Sequence, residues 1–180
     1  MFRTLISLGL TALIAGCSGA PEGIAPIENF EINRYLGKWY EVARLDHSFE
    51  RGLTQVTAEY SLREDGGVKV INRGFDAAAG EWREAIGKAY FVEGLDRGHL
   101  KVSFFGPFYG AYVIFELDPD YRYAFVSGPN RDYLWLLSRT AELPDSVLEQ
   151  FIERSGQLGF ETDALIFNNP DMGGTFVGGS

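Results

Sequence analysis

The sequence LTQVTAEYSLREDGGVKVINR, residues 53–73, decides the fold class of this chain. Every second residue from Val56 to Leu62 is apolar, and polar residues stand between them, which is the period of a half-buried strand. Asp65-Gly66-Gly67 then predicts a tight turn, because two of its positions need a positive φ. From Val68 the alternation resumes, with Val70 on the same side of the strand. The stretch therefore predicts an antiparallel β-hairpin.

The same pattern continues on both sides of this hairpin, with short turns and no long helical period between the segments. Predicted strands cover residues 38–46, 53–63, 68 to the turn at 78–80, 81–92, 99–105, 111–117, 121–126 and 133–139. Sequential strands without crossover helices indicate a meander, and closing a meander removes its exposed edges. We expect an all-β fold, an eight-stranded antiparallel up-and-down β-barrel.

One amphipathic helix follows the strands. Pro144-Asp145 opens it, and apolar residues recur at three- and four-residue spacing through Leu158. Its polar face lacks the Lys/Arg enrichment of membrane-surface helices, so we expect this C-terminal α-helix to pack on the barrel. A short strand over 164–167 ends the domain, which we bound at 28–168, and 169–180 forms a Gly-rich flexible tail.

The N-terminus carries an export signal. Arg3 precedes the apolar run 5–14, which is too short for a stable membrane span. Small residues then lead to Cys17, the only cysteine, and residues 13–17 resemble the bacterial lipobox. The resemblance implies a signal peptide over 1–16, a diacylglyceryl group on Cys17 and a tether over 17–27. Ser18 then favours the outer membrane, with the domain facing the periplasm and the chain held by its lipid anchor.

The composition argues against several classes of function. A net charge of −9 argues against nucleic-acid binding, which relies on Lys and Arg. No Gly-x-Ser-x-Gly elbow is present, and the glycines before Lys88 do not have phosphate-loop spacing. His47 and His99, the only histidines, stand far apart in the sequence and do not indicate a metal site. We therefore expect no catalytic residue, no metal and no cofactor.

The predicted binding site is the inward face of the barrel. Small residues at Ala85, Gly87 and Ala89 favour a cavity, because a packed interior would carry bulk there. Tyr and Trp each carry an apolar body and a polar tip, which suits the boundary between the apolar and polar parts of a ligand. The predicted ligand-binding residues are Tyr109, Trp135, Tyr133, Val70, Phe104 and Ala85.

Three segments resemble the lipocalin family. Gly37-Lys38-Trp39 at the head of the first strand resembles its signature, and Arg139 stands where the family has an Arg after the last strand. Residues 104–110, FFGPFYG, with 132–135, resemble the bacterial outer-membrane lipoprotein subgroup. The third family signature is degraded to Asp118-Pro119-Asp120-Tyr121. The resemblance covers about residues 28–168.

That resemblance implies that Arg139 stacks on Trp39 across the closed end of the barrel, with Gly37 in the same structural signature. It also implies a protein that binds, stores or transports a lysophospholipid or fatty acid in cell-envelope maintenance. Two alternatives stay open, a barrel enzyme acting on a lipophilic substrate and a purely structural envelope lipoprotein. A fully packed barrel would favour the structural role, and a homodimer is compatible with either.

Overall fold

A computed structural model describes residues 19–168. The predicted signal peptide, Cys17 and the tail at 169–180 lie outside the described residues. The described part forms one antiparallel sheet with a short and a long α-helix. The strands are β1 Gly37–Arg44, β2 Leu53–Leu62, β3 Val68–Asp76, β4 Glu81–Phe91, β5 His99–Ser103, β6 Gly110–Leu117, β7 Tyr123–Ser127, β8 Leu134–Ser138 and β9 Ile166–Phe167. The helices are α1 Ile32–Tyr35 and α2 Asp145–Gln157, and a 3-10 turn covers Thr162–Ala164.

The sheet closes into a barrel, as predicted. Each strand from β2 to β8 pairs with the next along the chain, and β1 pairs with both β8 and β2. β9 adds two residues to the edge of β1. The hairpin predicted over residues 53–73 is confirmed. Gly66 has φ +80°, and the Asp65 carboxylate accepts a hydrogen bond from the Gly67 backbone N–H at 3.1 Å.

Two predicted strands begin later in the structure than expected. β7 begins at Tyr123 because Tyr121 has φ +60° and belongs to the preceding turn. In that turn the Asp118 carboxylate accepts hydrogen bonds from the backbone N–H groups of Asp120 and Arg122. β8 begins at Leu134, so Tyr133 lies in the loop before it. Turn chemistry, which alternation does not report, sets both limits.

The closed end is capped by α1, which the sequence did not predict. Trp39 is fully buried there, and its indole N–H donates to the Tyr35 carbonyl at 2.8 Å. The Arg139 guanidinium carbon lies 4.0 Å from the centroid of the Trp39 ring. Gly37 has φ +90°, and a Cβ there would lie 3.6 Å from an Arg139 nitrogen. The two signature residues are therefore in contact across the end of the barrel.

The long helix packs against the outside of the barrel, as predicted. Leu148 and Phe151 are fully buried, and the Phe151 ring meets Phe125 of β7 edge-on with centroids 5.0 Å apart. This second apolar core lies outside the barrel, so the helix leaves the interior free. No helix within residues 19–168 is long and apolar enough to cross a membrane.

Candidate functional site: an apolar cavity with a buried charge cluster

The barrel interior holds two adjoining cavities, an inner and an outer compartment. The inner compartment has a volume of about 80 Å³, and the outer one, toward the open end, about 710 Å³. Residues that border both compartments include Val56, Asn72, Val102 and Phe104. The two compartments therefore lie against each other along the barrel axis, with these side chains between them.

Apolar side chains from several strands around the barrel form the wall of the inner compartment. Val70 lies there on β3, between Tyr60 of β2 and Gly87 of β4 in the sheet register. Leu100 of β5 and Leu137 of β8 complete the apolar wall. Such a surface stabilises a hydrocarbon chain and offers it almost no hydrogen-bonding partner.

The outer compartment contains three of the predicted residues. Ala85, Phe104 and Tyr109 all border it, and the Tyr109 ring also packs near Tyr90 with centroids 6.3 Å apart. Phe105 and Phe108, on the loop before Tyr109, also border it and are 78% and 79% exposed. The open end of the barrel therefore carries an apolar aromatic rim.

The small residues of β4 have different surroundings. Ala89 borders the inner compartment and Ala85 the outer one. At Gly87 an added Cβ would lie 2.8 Å from the ring of Phe104 and 2.8 Å from the Ser103 carbonyl oxygen. The room at Gly87 is thus taken by Phe104, and the inference of cavity space at that position was wrong.

Trp135 and Tyr133 occupy different places. Trp135 borders the inner compartment, and its indole N–H donates to the Glu50 carboxylate at 3.1 Å. Tyr133 stacks on Trp135 and on Phe49, with centroids 6.1 and 6.2 Å apart, but it borders neither compartment. The predicted inward face of the last strand therefore holds for Trp135, while Tyr133 supports it from the loop.

A cluster of buried charged residues, which we call the charge cluster, lies beside the cavity and was missed by the sequence reasoning. Its members are Glu41, Arg44, His47 and Glu50. Arg44 donates to the Glu41 carboxylate at 2.7 Å and to the carbonyls of Glu50 and Leu53 at 3.1 Å each. The His47 Nε2 atom lies 2.9 Å from a Glu50 oxygen. Glu41 and Glu50 also border the inner compartment.

The two carboxyl groups of the cluster have opposite pKa shifts. Burial, with the nearby charge of Glu50, raises the pKa of Glu41 well above its usual range, against the opposing effect of Arg44. Burial alone would also raise the pKa of Glu50, but His47, the Trp135 indole and Arg44 outweigh it and hold that pKa low. Burial therefore acts against the ionised form of Glu41, while its neighbours favour the ionised form of Glu50.

Three tyrosines form a second polar feature, the tyrosine cluster of Tyr35, Tyr60 and Tyr112. The Tyr112 hydroxyl lies 2.7 Å from that of Tyr35 and 2.9 Å from that of Tyr60. Burial raises the pKa of all three phenols. The cluster satisfies its own hydroxyl groups, so the apolar interior carries no unpaired phenol there.

One signal could have located the charge cluster from sequence. In β1, Glu41 is two residues after Trp39 and so lies on the same side of the strand. Charged residues are rarely fully buried unless they are paired, and the sequence does not display the pairing. Among residues 19–168, no group of three His, Cys, Asp or Glu side chains is arranged to hold a metal ion.

Comparisons with known proteins agree with this architecture. The lipocalin-like domain family matches residues 30–170. The outer membrane lipoprotein Blc of Vibrio cholerae is 61% identical over 166 residues, which cover 92% of this chain and 97% of that protein. The Escherichia coli protein of the same name is 50% identical over 157 residues, covering 86% and 89% of the two chains.

A solved structure agrees in fold. Insecticyanin from the tobacco hornworm Manduca sexta superposes with a TM-score of 0.67 over 84% of this chain and 86% of its own. Its sequence identity is 18%, so the likeness concerns the barrel and its connections alone.

Proposed function

The chain belongs to the lipocalin family, and from that premise we propose that it binds one acyl-chain lipid inside the barrel and stores or transports it. The proposed ligand is a lysophospholipid or a fatty acid. The observation that carries the proposal is the pair of adjoining apolar compartments inside the barrel. Lipocalin barrels generally hold a small ligand and do not catalyse a reaction. Cell-envelope maintenance is the process to which such a protein would contribute.

The energetics favour an acyl chain. Each methylene group that leaves water for an apolar wall contributes about 0.8 kcal/mol, so twelve contribute about 10 kcal/mol before the costs of association. The head group would remain in the outer compartment, near Tyr109, where water has access. The predicted binding residues Val70, Phe104, Ala85 and Trp135 would then contact the chain, and Tyr133 would support Trp135.

The proposal includes an outer-membrane anchor. The lipobox-like residues 13–17 supply a site for acylation at Cys17. The two relatives of 61% and 50% identity carry the words outer membrane lipoprotein in their names. Acyl chains on Cys17 would hold the domain at the membrane and leave the barrel facing the periplasm.

Tryptophan fluorescence tests the binding site directly, because the three tryptophans have distinct surroundings. Trp135 borders the cavity, Trp39 lies at the closed end, and Trp82 is 59% exposed on the outer face of β4. Addition of a lysophospholipid or a fatty acid should change the emission of the parent. Trp135→Phe should lose most of that response.

Trp82→Phe is the matched control, since it removes an indole that faces solvent. It should keep the full response and the parent's affinity. If Trp135→Phe keeps the full response, Trp135 does not contact the ligand. If no acyl lipid changes the emission of any form, the proposed function is wrong.

One observation bears on the enzyme alternative. His47 and Glu50 lie 2.9 Å apart next to the cavity, which is the spacing of a base and the group that orients it. However, both are nearly fully buried, and Glu50 also holds Trp135. We therefore assign the pair to holding the wall of the cavity. Chemical conversion of a bound lipid that disappears in His47→Gln would reverse this assignment.

A homodimer is part of the proposal. On the outer face of β3 and β4, Ile71 pairs with Ile86, and Phe75 pairs with Trp82. Ile86 and Trp82 are 55% and 59% exposed, so this apolar patch is open to a second copy. Sedimentation of the parent and of Trp82→Lys tests it, and dimerisation should weaken in the variant.

A further inference from the structure

Asn72 is a polar residue in an otherwise apolar stretch of the cavity wall. It lies on β3, where the inward side chains before it are Val68 and Val70. Its cross-strand neighbours are Ala58 on β2 and Ala85 on β4. An alanine therefore flanks the amide on each side, and neither of these directly paired residues has a side chain large enough to cover it.

The side-chain amide of Asn72 contains an atom without a hydrogen-bond partner among the described residues. That atom, Oδ1, is buried. A buried acceptor without a donor costs about 1–3 kcal/mol, and an apolar side chain of the same size would avoid that cost. No group of the described fold uses this acceptor, so a partner from outside the fold accounts for it best.

The position of the amide indicates what that partner is. Asn72 borders both the inner and the outer compartment, so a ligand that spans them passes it. A methylene group offers the amide nothing, and a carboxylate offers acceptors only. A hydroxyl group can donate to Oδ1 and accept from Nδ2, which satisfies the whole side chain.

We propose that Asn72 is a specificity-determining residue that recognises a free hydroxyl group on an acyl lipid. The glycerol hydroxyl of a monoacyl glycerophospholipid is such a group, and an unsubstituted fatty acid lacks one. The inference rests on the proposed function and deepens it, because it names the ligand chemistry that this cavity selects. Sites that hydrogen-bond a ligand hydroxyl reject the analogue that lacks it.

A matched pair of probes tests the inference. The probes are 1-acyl lysophosphatidylethanolamine and its 2-deoxy analogue, titrated into the parent and into Asn72→Leu. The parent should bind the hydroxylated probe about five- to tenfold more tightly, the effect of one neutral hydrogen bond. Asn72→Leu should bind both probes equally, at the parent's affinity for the deoxy probe.

A second variant and a control keep the test independent of folding. Asn72→Ala, which matches its neighbours Ala58 and Ala85, should lose discrimination in the same way. Val70→Ala, two residues away on the same face, should weaken both probes alike and keep their ratio. Asn72→Leu should unfold at the same urea concentration as the parent or a higher one, whereas a structural role would lower it.

The outcomes separate this inference from the proposed function. If the parent binds both probes with equal affinity, or if Asn72→Leu and Asn72→Ala weaken both alike, Asn72 does not recognise a hydroxyl and the inference fails while lipid binding stands. If the parent binds neither probe and no fatty acid, the proposed function fails and the inference fails with it.

Discussion

Removal of the stack between Trp39 and Arg139 should weaken the barrel at its closed end. Trp39 is fully buried, and its indole N–H donates to the Tyr35 carbonyl. Truncating such a side chain to Ala costs about 3–5 kcal/mol of the free energy of unfolding. Trp39→Ala should fall in that range.

Arg139→Ala removes a different set of contacts. Its guanidinium donates to the backbone carbonyls of Tyr121, Lys38 and Arg34 at 3.3, 3.0 and 2.7 Å. Water can reach part of this site, so we expect a cost of about 1–3 kcal/mol. The contact with the Trp39 ring, at 4.0 Å, should add a coupling of about 0.5–2 kcal/mol.

A double-mutant cycle measures that coupling. Urea unfolding followed by circular dichroism gives the free energy of unfolding of the parent, both single variants and the double variant. If Trp39→Ala does not fold, Trp39→Phe serves in its place. Additivity within about 0.3–0.5 kcal/mol would refute the reasoning, because it would mean that the two side chains do not interact.

Three further predictions concern the anchor, the charge cluster and the tyrosine cluster. Cys17→Ser should leave the circular dichroism spectrum of the barrel unchanged and release the protein from membranes; retention in the membrane fraction would contradict acylation at Cys17. Arg44→Ala should lower the free energy of unfolding by about 3–5 kcal/mol, because it leaves buried carboxyl and carbonyl groups without their donor. The exposed Arg51, paired with Asp46, is the control, and Arg51→Ala should change stability by at most about 1 kcal/mol in a urea titration. The phenols of the tyrosine cluster have raised pKa values, so unfolded chains lose these protons first, near pH ~10. The free energy of unfolding should therefore fall as the pH rises above that value. Phenolate absorbance measures the ionisation directly, and it should show these three phenols ionising only as the barrel unfolds.

The strands and the helix were predictable because their signals are local. Alternation from Val56 to Leu62 and the glycine turn at Gly66 specify a hairpin without reference to the rest of the chain. The three-residue spacing that brings Leu148 and Phe151 onto one face specifies the packed side of α2. Such periodicities show which side of a strand or helix is buried. The sheet closes into a barrel because its strands all turn that apolar side toward one interior.

Three features were beyond that reasoning because they depend on distant partners. The short helix α1 is only four residues long, and Trp39 and Tyr121 hold it in place more than its own sequence does. The place of Tyr133 depends on where the preceding turn ends. Gly87 is small because Phe104, from the next strand but beyond its end, fills the space above it.

The charge cluster escaped prediction for a different reason, because its members are close together in the sequence. These residues stand three apart within one short stretch, and the end of β1 with the loop after it places the carboxyl groups of Glu41 and Glu50 on the cavity wall beside Arg44. Alternation in β1 would place Glu41 on the same side as Trp39, but it does not indicate that a carboxyl group there has a partner. Asn72 is the reverse case, a polar residue whose inward position was predictable and whose lack of a partner was not.

The central claim is that one acyl lipid lies inside the barrel, and filling the cavity tests it most directly. Ala85 borders the outer compartment, while Ile86, the next residue, is 55% exposed on the outer face of the same strand. Ala85→Trp should fill the space a ligand needs, and Ile86→Trp adds the same side chain where no ligand lies. The measurement is calorimetric titration of a lysophospholipid into both variants and the parent, with folding checked by circular dichroism. The parent and Ile86→Trp should bind one lipid per chain with equal affinity, and Ala85→Trp should lose at least tenfold. Equal binding by all three would contradict a ligand site inside the barrel.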